Sequence, residues 1–262
     1  MMQNLFVKDT KRLLKSALSR YFAVFGLEVK IAGRHDWTNA ANFIPFTATL
    51  RAADAAGVSV GDYIDEVMNG IPGATQATID GMVSLGVFSG KIATVLEIGP
   101  GSGRYLEKTL ENCAPERYEI YETSEPWAQY VAEKYSVIRQ FTDGGSLRAT
   151  ASGSIDLVQA HKVFSSVNLM VTLKYWAEMA RVTKPRGYIV FDVVTEACLE
   201  PAVIERWVAS GFHTGAYPAA MPSATVTDYF NSQGFSCVGS FIEPMGPGST
   251  EIFVLQKRAV AG

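Results

Sequence analysis

Three glycines at alternate positions, Gly99, Gly101 and Gly103, follow a short apolar run that carries one acid, Glu97. The whole stretch reads Thr94-Val95-Leu96-Glu97-Ile98-Gly99-Pro100-Gly101-Ser102-Gly103. A strand running into such a loop, with a helix behind it, brings bare backbone N–H groups and a helix N-terminus to one point. That chemistry suits a nucleotide-like ligand lying over the end of a parallel sheet. The spacing is GxGxG, and Arg104 stands where the nicotinamide fingerprint wants its third glycine. No Lys-Ser/Thr pair follows the loop, which excludes a P-loop.

Two acids extend this constellation. Glu122 closes the next apolar run, Tyr118-Glu119-Ile120-Tyr121-Glu122. A carboxylate there can accept hydrogen bonds from both hydroxyls of a ribose, or it is a solvated acid at a strand end. Asp143, in Phe141-Thr142-Asp143-Gly144-Gly145, could hold an adenine amino group, or it makes a plain Asp-Gly turn. The chain has three histidines, His35, His161 and His213. His161 directly follows the run Ile155–Ala160, at the edge where a reacting group would lie. It reads as a base or orienting group, with an ordering role in its loop as the alternative.

These residues need a scaffold, and the pattern around them supplies one. From Ile92 onward strand-like and helix-like runs alternate. The expected strands are Thr94–Ile98, Tyr118–Glu122, Val137–Gln140, Ile155–Ala160 and Tyr188–Val193. The expected helices are Tyr105–Asn112, Glu125–Lys134 and Leu169–Val182. Near-continuous apolar strands separated by amphipathic helices imply a parallel sheet covered on both faces. Ser236–Ile242 and Glu251–Lys257 are two further strands with no room for a helix between them, hence a reversed hairpin. Upstream, Phe46–Ala56, Val60–Met68 and Thr75–Leu85 read as helices, and residues 5–25 as a basic amphipathic helix. The expected division is a helical extension or cap over 1–90 and a ligand-binding domain over 91–262.

The order of these motifs resembles the class I S-adenosylmethionine-dependent methyltransferases of Rossmann-like fold, of the small-molecule and sugar type. The first motif of that family resembles Glu97 to Gly103, its ribose acid Glu122 and its adenine acid Asp143. Its strand-four motif is similar to Ile155–Ala160, and its "R-V-L-K-P-G-G" turn to Arg181–Gly187, with Pro185-Arg186-Gly187 departing from Pro-Gly-Gly. Where many members carry a His early in the helix after strand four, this chain has Val163-Phe164-Ser165-Ser166-Val167. The resemblance implies an α/β fold. Its doubly wound, seven-stranded, mostly parallel sheet ends in a C-terminal antiparallel hairpin and follows the N-terminal helical extension. It implies S-adenosyl-L-methionine as cofactor, held by Glu97, Gly99, Pro100, Gly101, Gly103, Glu122, Thr123, Asp143, Gly144 and Ala160. His161 and His213 are the expected catalytic residues, and His35, Trp37 and Tyr217 the expected contacts to the acceptor. No Asp-Asp or Asp-Asn pair follows strand four, so no metal is expected.

Composition bounds the partners. A net charge of −3 and the lack of a basic stripe argue against nucleic acid. Cys113, Cys198 and Cys237 fit no metal spacing and read as reduced thiols. No signal peptide or membrane-spanning run is expected, which points to a cytoplasmic protein. The basic segment 5–25 adds peripheral contact with the inner membrane surface, or a homodimer contact, as expectations. The expected activity is O-methylation of a small molecule or of a sugar or glycolipid hydroxyl. N- or carboxyl-methylation, a nicotinamide oxidoreductase and a non-catalytic methyltransferase-like binding protein are the alternatives.

Overall fold

A computed structural model describes residues 44–209, 220–246 and 248–259. The readings that fall on residues 5–25, His35, Trp37, His213 and Tyr217 lie outside the described residues.

Seven strands form one sheet in the order β3-β2-β1-β4-β5-β7-β6. They are β1 Thr94–Ile98, β2 Arg117–Tyr121, β3 Ile138–Arg139, β4 Ile155–Ala160, β5 Thr183–Val193, β6 Phe235–Met245 and β7 Gly248–Lys257. The first five are parallel, and β7 runs antiparallel to both β5 and β6. The chain order reverses between β1 and β4, so the crevice at the carboxyl ends of these strands is the topological switch point.

Side chains alternate across a strand, and here both faces are covered. Leu96, Ile98, Val158, Ala160, Ile189 and Phe191 enter one core, with Trp176 and Phe230. Val95, Leu157, Val190, Ile252 and Val254 enter the other, with Ile79, Met82 and Leu106. This is why the strands read as near-continuous apolar runs.

The helices are α1 Phe46–Ala56, α2 Val60–Asp62, α3 Ala74–Ser84, α4 Arg104–Asn112, α5 Glu125–Lys134, α6 Leu169–Val182, α7 Pro201–Ala209 and α8 Ser223–Ser232. The expected helix 60–68 is split: α2 is one turn, capped by the Ser59 hydroxyl on the Asp62 N–H, and passes into a π-helical turn, Tyr63–Met68. The wider turn swings Asp65 inward, where it is buried. Helices α7 and α8 were not anticipated. At the amino ends of the central strands Asp156 accepts the N–H groups of Ala93 and Thr94 and pairs with Lys184 at 3.0 Å.

The Pro185-Arg186-Gly187 departure has a local explanation. The register of β5 on β4 slips between Thr183 and Tyr188, so the motif is a bulge inside β5. Arg186 adopts φ 65°, the left-handed conformation that a glycine would take more cheaply.

Helix α3 crosses β6 at Gly81, where an added Cβ would fall on the Phe241 ring. On propensity alone Gly81→Ala would stabilise the helix by about 1 kcal/mol. Overpacking against a sheet residue costs about 1–3 kcal/mol and decides the sign. Gly81→Ala is therefore expected to lower the urea midpoint, and a raised midpoint would refute this packing.

Candidate active site

The crevice is built where β1 and β2 end. Gly99, Gly101 and Gly103 all have positive φ, at 63°, 52° and 79°. A side chain on Gly99 would also approach Val163 Cγ2 to 2.7 Å, so backbone rather than side chain borders the crevice there. Gly103 is the N-cap of α4 and donates its N–H to the Pro100 carbonyl at 2.8 Å. The loop thus turns directly into the positive end of a helix.

Glu122 closes the opposite wall. Its Oε2 accepts the Gly101 N–H at 2.8 Å and its Oε1 the Ser124 N–H at 2.7 Å. The residue is 8% exposed, and burial pushes its carboxyl above the usual range, against the backbone N–H groups of Ser124, Gly101 and Thr123 that draw it down. Each carboxylate oxygen keeps a lone pair for a ligand hydroxyl.

Gly99, Gly101 and Glu122 line one cavity of about 350 Å³. Of the residues read from the sequence as site residues, Gly99, Pro100, Gly101, Glu122, Thr123, Gly144 and His161 lie on its wall. Tyr121, Trp127, Tyr175 and Ile44 add apolar surface near Glu122. Met68, Asn69 and Ile71 come from the upstream helices, and Pro244, Met245 and Gly246 from the tip of the β6–β7 hairpin. Trp127 had a legible signal, its place in the first turn of the helix after Glu122; the hairpin tip read only as a turn.

Four expected ligand contacts stand apart from that wall, and one of them, Gly103, serves as the N-cap of α4. Glu97 is buried beneath β1, where it accepts from the Tyr118 hydroxyl at 2.5 Å and from Gln159 Nε2 at 3.2 Å. Asp143 spends its carboxylate on its own turn, accepting the Gly145 and Ser146 N–H groups and pairing with Arg148 at 2.5 Å. Ala160, fully buried, packs in the core beneath His161.

His161 and the Tyr105 hydroxyl are polar groups on the wall without a hydrogen-bond partner among the described residues. His161 is 5% exposed, and neither of its ring nitrogens has such a partner. Its ring stacks on Tyr105 at 4.4 Å between centroids and 24° between planes. Burial lowers its pKa to about 4; Asp192 draws it up, while Lys162 and Arg104 push it down. The imidazole is therefore uncharged near neutral pH. Lys162, next in sequence, has φ 58° and is pinned by its N–H to Asp192 Oδ1 at 2.6 Å and by its ammonium to the Thr250 hydroxyl at 2.7 Å.

Residues 96–191 match a family model described as a methyltransferase domain. With the glycine loop, Glu122 and the reversed terminal hairpin in place, the crevice has its identity. Residues 96–191 are a methyltransferase domain, and S-adenosylmethionine is its cofactor.

Solved structures share the methyltransferase fold at low identity. Magnesium protoporphyrin IX methyltransferase ChlM from Synechocystis PCC 6803, with bound SAM, superposes with a TM-score of 0.57 at 14% identity. The match covers 87% of this chain and 100% of that one. An O-methyltransferase family protein from Burkholderia thailandensis gives 0.55 at 17% identity, over 82% of this chain and 62% of that one. The N-methyltransferase NodS from Bradyrhizobium japonicum WM9 gives 0.51 at 14% identity, over 71% and 97%. No curated protein matches the sequence. The methyltransferase crevice fits its cofactor on this chain's own terms: backbone where a Cβ would intrude at Gly99, and a buried carboxylate facing it at Glu122.

Burial raises the Glu97 pKa to about 7, against the Tyr118 and Gln159 hydrogen bonds that lower it; the Glu122 charge adds to the rise. The folded enzyme thus holds a proton on Glu97 that the unfolded chain releases between about pH 4.5 and 7, and this group's contribution to stability falls as pH rises through that window. Glu97→Gln, which keeps an acceptor for Tyr118, is expected to stabilise the fold more at pH 8 than at pH 5, by about 1–3 kcal/mol between the two. Equal urea midpoint changes at the two pH values would refute it.

Proposed function

We propose that this methyltransferase acts on a hydroxyl group of a small molecule, sugars and glycolipids included, and that His161 receives the hydroxyl's hydrogen. The observation that carries this is the buried, uncharged imidazole on the cavity wall with both nitrogens unpartnered. Leaving such a group unsatisfied costs about 1–3 kcal/mol, which an acceptor O–H would recover.

Bound S-adenosylmethionine supplies an electrophilic methyl carbon for in-line displacement by the acceptor oxygen. The chain's own residues do the rest. Glu122 and the loop N–H groups hold and orient the cofactor, with Thr123 and Gly144 beside them. Met68, Ile71, Val163 and Met245 line the wall with apolar surface and help to exclude water. His161 accepts the O–H hydrogen as the oxygen attacks, and buried Asp192 favours the imidazolium that forms.

His213, His35, Trp37 and Tyr217 remain part of this proposal as acceptor-side groups. An amine or carboxylate acceptor would need positioning alone. A glycolipid acceptor would bring a cytoplasmic enzyme to the inner membrane surface, with segment 5–25 in contact there; a homodimer contact is the other use of that segment. Among the described residues no helix is long and apolar enough to cross a membrane.

Calorimetry with S-adenosylhomocysteine tests the cofactor half. Glu122→Ala is expected to weaken binding by about tenfold or more, equivalent to about 1.4 kcal/mol. The affinity of the unaltered enzyme is expected to drop as pH falls through the raised pKa of Glu122, because the protonated carboxyl loses acceptor capacity. An unchanged affinity in Glu122→Ala would refute the assignment.

The acceptor half calls for a screen of hydroxyl, amine and carboxylate acceptors with labelled cofactor. His161→Ala should retain S-adenosylhomocysteine binding and lose turnover by about 10²–10⁴-fold. Full turnover in that variant would discard the base role.

A further inference from the structure

The upstream helices reach His161 through a continuous set of contacts. Asp65, on the π-helical turn, is 4% exposed and accepts the Thr75 N–H at 2.9 Å and the Thr75 hydroxyl at 3.1 Å. The same carboxylate pairs with the guanidinium of Arg104, the first residue of α4 after the glycine loop. Both side chains are nearly buried, at 6% and 10% exposure. The Arg104 guanidinium carbon sits 4.8 Å from the Tyr105 ring centroid, and Tyr105 stacks on His161. Gly61 reinforces the seat, because a Cβ there would lie 3.2 Å from Arg104 Cβ.

We propose that Asp65 and Arg104 are positioning residues for His161, acting through the Tyr105 ring to hold the imidazole uncharged and fixed toward the cavity. This rests on the reading of His161 as the hydrogen acceptor. A cation held by a buried carboxylate cannot drift from the ring it covers. Its charge opposes protonation of the neighbouring imidazole. The other groups facing His161 are Lys162 on its own turn and Asp192 on β5, with Glu243 of β6 beyond, facing Lys162. Burial is the main reason the imidazole stays uncharged; Asp192 favours protonation, Lys162 opposes it, and Arg104 adds a smaller opposition of its own.

The test is an NMR titration of the histidine ring signals in the full-length enzyme. Three histidines make the spectrum simple, and the His161 signal is the one lost in His161→Asn. In the unaltered enzyme His161 should not titrate between about pH 5.5 and 8, because its folded pKa lies below that window. In Arg104→Gln its midpoint should rise by about half a pH unit or more. Arg104→Lys, which keeps the charge and the pair with Asp65, should restore most of that shift.

Arg104→Gln leaves Asp65 buried without its partner and could unfold the chain. The double variant Asp65→Asn/Arg104→Gln removes both charges together and keeps the acceptor for Thr75. It should show the same rise. An unmoved His161 midpoint in a folded double variant overturns the proposal, as does a shift that Arg104→Lys fails to restore. A rise in midpoint together with undiminished turnover in His161→Ala would instead sink the base role and leave the positioning in place.

Discussion

The site depends on one carboxylate accepting two backbone N–H groups. The register of β1 on β2 sets Ile98 beside Tyr121, and the Gly99 N–H continues the ladder to the Tyr121 carbonyl at 2.8 Å. One residue further on, Glu122 reaches across to Gly101 and back to Ser124. It thereby ties the glycine loop that opens α4 to the N-cap of α5. Two helix N-termini and the floor of the crevice hang on a single side chain. Burying that carboxylate is costly, and N–H groups held by the ends of two strands are the cheapest compensation available.

The upstream helices complete the crevice rather than merely precede it. Ile44 accepts the Trp127 indole N–H at 2.9 Å, and Phe46 meets the same indole edge-on. Asp65 grips Arg104 on the other flank. The cap segment is therefore fastened at both α5 and α4, the two helices whose starts Glu122 organises. Its Met68, Asn69 and Ile71 can line the cavity only because the π-helical turn re-aims the chain after Asp62.

Much of this was legible because its causes are local. Strands β1 and β4 fall on their expected bounds, each an apolar run between clear breaks. The reversed hairpin followed from two strands with no helix-length connection. Helices α7 and α8 were missed because their apolar stripes are short and their seats are tertiary: Val203, Val226 and Phe230 are buried only once the sheet exists. The bulge in β5 was hidden for a similar reason, since Arg186 takes a conformation that its residue type does not announce. At the site, the glycines and Glu122 were readable because backbone approach and strand-end acids leave marks in sequence. Arg104 and Tyr105 were not, because their role depends on what Asp65 brings from another element.

Glu97 shows where motif reading meets parity. Alternation along β1 sends Ile98 to one core and Val95, with Glu97, to the other; from β1 only its last residue, Ile98, borders the crevice, ahead of the loop beyond it. An acid at that position must be a buried acid, here satisfied by Tyr118 and Gln159, with Thr109 behind them. Its environment raises its pKa to about 7, and the charge on Glu122 contributes to that rise. Two carboxyls so placed do not ionise independently. Burial raises the carboxyl pKa of Glu122 as well, while three backbone N–H groups aimed at it draw it down. Glu97 thus bears on the site without touching it, as a buried acid whose proton affinity the crevice carboxylate raises.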